Sequence, residues 1–359
     1  MLKIRLLTFI WSLLTFSWAN ALESTSIVYP GGEGIGSGKH IVFLASDHEY
    51  RAEEVCPALA RILAKRHGFT CTVVFGVNDE GFIEAGSPQV SGLKALREAD
   101  LLFVFARFLD LPDSEMAEFE TYLEKGGPVV GLRTSSHAFQ IPVSKKYAKY
   151  SFRSTTDGYE GGFGHQVLGN TWVGHYGRNH VQGTRLTHLP EQAEHPILRG
   201  FKDGVFCHAG AYVGKAREGF TVLVNSQPLQ SMDPAAEVDP KKPANASAWT
   251  RTYQAKDGTE HRVFHSTQGA SEDFLDESYR RLVINGVLWA VGLENQITAD
   301  LEIDFVGSYQ PNTFTSYGHA RNVKPEDLAG FESPIMPKGD LHKPDAPAYR
   351  EAMRKNKKK

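Results

Sequence analysis

Apolar positions along this chain fall into two rhythms. Short, mostly apolar runs occupy 40–45, 71–75, 101–105 and 128–132. Between them the apolar residues recur at helical spacing, as with Val55, Leu59, Ile62 and Leu63 within 53–66. The segment 113–125 has the same spacing; Pro112 and Asp113 open it and Gly126-Gly127 stop it. A shorter stretch, 91–97, also reads as a helix. Runs that are apolar throughout mark strands covered on both faces, as parallel strands are. Alternation of such strands with helices predicts an α/β fold on a mostly parallel, doubly wound sheet.

The pattern fades over 140–183, which is rich in Gly, His and aromatic residues and reads as loops over the sheet edge. It resumes with strands at 184–188, 220–225, 247–253 and 262–266, then an amphipathic helix over 277–291 carrying Leu282, Val283, Val287 and Leu288. This leaves 39–300 as one domain and 301–359, rich in Pro and Gly, as an extended tail. Ahead of the domain, 22–38 reads as a flexible linker. Its run Gly31-Gly32-Glu33-Gly34-Ile35-Gly36-Ser37-Gly38 is not a phosphate loop, because no strand is expected before it and no helix after it.

The first 21 residues have the form of a secretory signal peptide: Lys3 and Arg5, an apolar run over 6–18, then Ala19-Asn20-Ala21. That run falls short of the roughly 20 residues that span a bilayer. The expectation is a secreted or periplasmic protein with no stable membrane insertion after cleavage. The formal charge of −3, made more negative by loss of Lys3 and Arg5, argues against a nucleic-acid partner. Three cysteines, Cys56, Cys71 and Cys207, allow at most one disulfide.

Candidate chemistry gathers where predicted strands end, the place at which open α/β sheets hold ligands. After the first long strand comes Ser46-Asp47-His48-Glu49-Tyr50-Arg51, with acid, base and cation in one loop. After the fourth comes an elbow, Arg133-Thr134-Ser135-Ser136-His137, whose hydroxyls and histidine suggest a nucleophile and base or, equally, a capped helix start. A third group is His165, His175 and His180. Neutral imidazoles ligate divalent metals, but this spacing matches no tight zinc signature. The aromatics Tyr150, Phe152, Tyr159, Phe163, Trp172 and Tyr176 could form a sugar-stacking platform or the core beneath long loops. Cys207-His208 on a strand would point to opposite faces. His195-Pro196 and Trp249-Thr250-Arg251 read as framework.

Taken in order, several of these segments resemble the ThuA-like (trehalose-utilisation) family of the class I glutamine amidotransferase-like superfamily. The matching residues are Asp47 to Glu54, Ala99-Asp100-Leu101-Leu102, Gly126 to Leu132 with Ser135, Gly174-His175, His195-Pro196-Ile197, Ala248-Trp249-Thr250-Arg251, Arg262-Val263-Phe264, Phe274, and Arg281-Leu282 with Trp289-Ala290. The resemblance implies a flavodoxin-like three-layer sandwich and a link to disaccharide or keto-sugar metabolism. It also sets limits. No cysteine stands at the elbow, which removes glutamine hydrolysis. Ala209-Gly210-Ala211-Tyr212 replaces an acidic pair before a tyrosine, Gly269-Ala270 replaces Gly-His, and Arg133 replaces a histidine near Ser135.

Two functions follow as expectations. In the first, an enzyme acts on a small carbohydrate, with His48 or Glu49 as base or acid assisted by His137. Asp47, Arg51, Arg133, Ser135, His165 and His175 then contact substrate, and His165 with His175 are the candidate ligands of a divalent metal cofactor. In the second, the same scaffold is a non-catalytic glycan-binding module. Whether the chain works alone or as a homo-oligomer is left open by the sequence.

Overall fold

The computed structural model describes residues 25–214 and 218–335. The signal-peptide reading of 1–21 lies outside these residues. In chain order the strands and helices are β1 (Ser26–Tyr29), β2 (His40–Ser46), α1 (Ala52–His67), β3 (Thr70–Phe75), β4 (Leu101–Ala106), α2 (Asp113–Glu124) and β5 (Val129–Leu132). They continue as β6 (His175–Tyr176), β7 (Thr184–His188), β8 (Val205–Cys207), β9 (Ala211–Tyr212), β10 (Thr221–Pro228), β11 (Asn245–Gln254), β12 (Glu260–Ser266) and α3 (Glu277–Ala290).

Ten strands form one sheet in the order β1-β3-β2-β4-β5-β12-β11-β10-β7-β8, and β6 pairs with β9 apart from it. The sheet is mixed where a mostly parallel one was expected. β3, β2, β4, β5 and β12 run parallel. The pairings β1–β3, β12–β11, β11–β10, β10–β7 and β7–β8 are antiparallel. For the β12–β11 pair the physical reason is connection length. β11 and β12 are joined by the turn 255–259, too short for the crossover that parallel neighbours need.

Side chains alternate along the parallel strands and feed two cores. Phe43, Phe103, Val130 and Phe264 pack with Leu59 and Ile62 of α1 and with Leu282 and Val283 of α3. Val42, Leu44, Val104, Val129 and Val263 pack with Met116 and Phe119 of α2. The stretch expected as a helix at 91–97 is a short 3₁₀-helix, Leu93–Glu98, on the α2 side. The chain leaves β2 through α1 to reach β3 on one flank, then crosses to β4 on the other. The carboxyl ends of β2 and β4 are therefore the switch point of the sheet, the place where folds of this kind have their ligand crevice.

Three further expectations change. The linker 22–38 contains β1, and its glycines pack against the end of α1: Gly32 N–H donates to Gly68 O and Gly36 N–H to His67 O. Gly34, at φ +152°, leaves no room for a Cβ beside the His67 carbonyl, and with Gly31 and Gly36 it serves close approach. All three cysteines are buried and free. The tail is packed as far as 335, belting α1 and α3, and the belt is held by its carbonyls. Arg61 donates to Leu328 O and Ser333 O, Arg280 to Ile303 O, Arg281 to Leu301 O, and Arg51 to Thr313 O and Gly318 O. Among the described residues no helix is long and apolar enough to cross a membrane.

Candidate functional site

The loop after β2 is shaped by its own aspartate. Asp47 Oδ2 accepts from the backbone N–H of Glu49 (2.9 Å) and of Tyr50, an Asx turn that delivers both side chains to the crevice. Asp47 itself is buried, with Oδ1 lacking a protein partner, and burial lifts its carboxyl above the usual range. Glu49 pairs with Arg107, the residue that follows β4, and accepts from Asn179 Nδ2 at 3.2 Å. Burial alone would raise the Glu49 carboxyl, but Arg107, then Arg133, hold it below the usual range as a carboxylate. The Tyr50 hydroxyl accepts from Asn179 Nδ2 (2.9 Å) and lies 3.2 Å from His175 Nε2.

The elbow after β5 turns at Arg133, whose φ of +42° is left-handed. The elbow therefore aims a guanidinium, not a hydroxyl, into the crevice. Arg133 is fully buried between the rings of Tyr50 (3.7 Å) and Tyr212 (4.7 Å), and donates to Thr267 O (3.1 Å) and Gly210 O (2.9 Å). Thr134 and Ser135 are buried behind it, their hydroxyls without a protein partner. Ser135 Oγ packs 2.8 Å from where a Cβ on Gly131 would stand.

His137 closes the turn, fully buried, with Nδ1 3.1 Å from Ser136 Oγ. Its ring lies 5.1 Å from Phe108, 5.2 Å from Trp172 and 5.4 Å from Tyr212. His175 stands at the rim, 5.9 Å from the Trp172 ring and 5.4 Å from the Tyr212 ring. Within this group three polar atoms lack any protein partner: His137 Nε2, Trp172 Nε1 and the Tyr212 hydroxyl. The elbow is held by the turn Gly164–Leu168, where a Cβ on Gly164 would collide with Ser136 O. That turn is pinned by Trp249 Nε1 on Leu168 O and Arg251 on the carbonyls of His165 and Gln166, the framework role expected of this strand.

The imidazoles share one electrostatic setting. Burial first, and Arg107 next, hold His48 and His137 well below the ordinary histidine range. His175, although partly open to solvent, is lowered to about 4 by burial against its neighbours and by Arg133. All three are neutral at pH 7, able to accept or donate a hydrogen bond.

Other candidates fall elsewhere. His48 is covered by the belt: its ring stacks on Tyr317 at 4.6 Å, and its carbonyl accepts from the Tyr317 N–H. Arg51 is turned to the belt and to Glu53 and Glu54. His165 lies on the turn 164–168, and His180 stacks on Phe314 of the belt at 4.3 Å. Among the described residues no three His, Cys, Asp or Glu side chains group as a metal would require, and His175 Nε2 already faces the Tyr50 hydroxyl, so the donor set does not fit a metal ion. Cys207 is buried, while the backbone N–H of His208 is bound to Asp273. The aromatic segment divides: Tyr150, Tyr159 and Phe163 are core with Phe119, whereas Phe152 and Trp172 line the site.

Arg107, Phe108, Asn179, Tyr212 and the belt residues Phe314 and Tyr317 were not picked out as site residues from the sequence. Arg107 had a signal, as the residue immediately after a buried strand. The rest arrive from segments whose return to the crevice no local pattern announces.

No protein-family model and no curated protein matches this chain. Among solved structures it is similar to a protein described as ThuA-like from Bacteroides uniformis ATCC 8492, at 15% identity and a TM-score of 0.44, over 76% of this chain and 100% of that one. A second, from Parabacteroides merdae ATCC 43184, matches at 13% identity and 0.44, over 79% and 98%. An exo-β-1,4-mannosidase from Opitutaceae bacterium strain TAV5 matches at 10% identity and 0.31, over 70% of this chain and 35% of that one.

Proposed function

We propose that this chain is an exported protein that takes a small carbohydrate at the carboxyl ends of β2, β4 and β5. The observation that carries the reading is the trio of unpartnered polar atoms, His137 Nε2, Trp172 Nε1 and the Tyr212 hydroxyl, within one group of touching rings. A buried polar atom without a partner costs about 1–3 kcal/mol. A ligand that supplies hydrogen bonds between aromatic rings removes that cost, and a sugar offers hydroxyls together with C–H faces. The resemblance of the sequence to ThuA-like proteins adds the link to disaccharides and keto-sugars.

In the catalytic form of this proposal His137 is the proton-handling or carbonyl-polarising group. Ser136 has one hydroxyl proton. Given to His137 Nδ1, it leaves Nε2–H as a donor; given to Arg133 O, 3.3 Å away, it leaves Nε2 as an acceptor. A neutral imidazole donor can polarise the carbonyl of a keto-sugar. Glu49 is the nearby carboxylate base. A second form, binding without turnover, is favoured by the tying of Glu49 to Arg107 and Asn179, which lowers its basicity.

The test is calorimetric titration with glucose, methyl glucosides and their 3-keto forms, followed by mass spectrometry of long incubations. Saturable binding that weakens about tenfold in Trp172→Phe or Tyr212→Phe supports the site, since each change deletes one hydrogen bond of about 1 kcal/mol or more and keeps the ring. Binding unmoved by either change, or no binding of any sugar, overturns it. New products distinguish the catalytic form from the binding form.

A further inference from the structure

We propose that the ligand is an acidic sugar, a uronate or aldonate, whose carboxylate is received by Trp172, Tyr212 and His137. This rests on the carbohydrate reading above and names its substrate class.

The argument starts from Arg133. It is fully buried, yet among the described residues no carboxylate oxygen lies within 4 Å of it. Its faces are covered by Tyr50 and Tyr212, its terminal nitrogens donate to Thr267 O, Gly210 O and, at 3.5 Å, Gln268 Oε1, and its Nε has no protein partner. The carboxylates nearest this region are engaged elsewhere. Asp273 accepts from the backbone N–H of His208, Gly269 and Ala270; Asp47 accepts from Glu49 and Tyr50; Glu49 holds Arg107 and Asn179. At the His137 ring Arg107 and Arg133 both push the proton off, while the negative charge of Glu49 is felt at Tyr212 and His175 and not among the main influences on His137. A buried position in a positive field favours an anion.

Donor chemistry points the same way. The Trp172 indole only donates, the Tyr212 hydroxyl donates readily, and His137 Nε2–H donates when the Ser136 hydroxyl donates its hydrogen bond to Nδ1. A carboxylate is acceptor-only and matches such a set. A neutral hydroxyl accepts fewer such bonds and brings a proton of its own that needs an acceptor.

Calorimetry on the intact protein at fixed ionic strength would compare D-glucuronate, D-galacturonate and D-gluconate, each with its neutral amide and with D-glucose. The expected result is that at least one acid binds tenfold or more tightly than its amide, because hydrogen bonds to a charged group are stronger than those to a neutral one. That ratio should shrink in Trp172→Phe and in Tyr212→Phe, whose folding is checked by an unchanged circular dichroism spectrum. Amides or glucose binding as tightly as the acids would overturn the proposal and leave the carbohydrate reading standing. No binding by any of the seven would fell both.

Discussion

Glu49 and Arg107 show how a single residue can matter to both stability and chemistry. Their pair is almost wholly buried, with side chains 12% and 9% exposed. Glu49→Ala would leave a buried guanidinium alone and is expected to cost about 3 kcal/mol. Glu49→Gln, whose amide oxygen still accepts, should cost less; urea denaturation of both variants checks the order. The neutral histidines make a second prediction. His48, His137 and His175 stay unprotonated in the fold but take a proton near pH 6.5 when unfolded. Their folded values are depressed, so their contribution is complete above about pH 6.5 and is lost as pH falls. Imidazole NMR signals of His137 that titrate near pH 6.5 would contradict this. Asp47, Glu49 and His137 were legible as candidates because they follow buried strands, whereas His48, from the same loop, is turned to the belt. Arg133 was legible as a position and not as a role: backbone strain at φ +42° cannot be read from composition, so the elbow's hydroxyls drew attention that its guanidinium holds.

At the scale of elements, α1 carries the least expected feature, a pair of carboxylates inside protein. Glu53 and Glu54 lie under the belt beside Arg51, and Glu54 accepts from both nitrogens of Asn312 at 2.8 Å. Burial pushes Glu53 up to about 7, and burial with repulsion from Glu53 pushes Glu54 up to about 8. Folded values above the unfolded one mean stability present below about pH 4.5 and lost as pH rises through 7 and 8. Glu53→Gln should therefore flatten the pH dependence of the melting temperature between pH 6 and 9 and raise it at pH 9. A parallel decline in variant and parent would refute the assignment. From the sequence these two glutamates looked like ordinary first-turn acids beside a helix dipole. What changed their character is a segment some 260 residues away in the chain, which no window of helical periodicity contains. For the same reason α1, α2, α3 and the long strands were legible, while β1, β6, β8 and β9, of two to four residues, were not. Strands so short have no period to read, and β5, also of four residues, was legible only by its unbroken apolar run.

Across the whole molecule the two pH trends meet. Acid removes the contribution of buried neutral histidines and alkali that of buried protonated glutamates, so stability should peak near pH 6 to 7. A melting curve series at constant ionic strength tests this, and a maximum above pH 8 would count against it. The fold also hides its thiols: Cys56, Cys71 and Cys207 should be silent to a thiol reagent in the native protein, and all three should react once it is unfolded. The sheet's mixed character belongs to this scale too. Local patterning identifies a strand, but its direction depends on how the chain returns, which is a property of connections.

The belt has one more consequence. Arg51, Arg61, Arg280 and Arg281 grip it by peptide oxygens, groups that every amino acid carries. A clasp of that kind reads the path of a chain and ignores its spelling. Foreign residues, even a short epitope or a fluorescent label, should be tolerated at Glu326, whose exposed side chain takes no part in the grip. Asn312, Phe314 and Tyr317, which touch Glu54, Tyr50 and His48 through side chains, should resist rewriting.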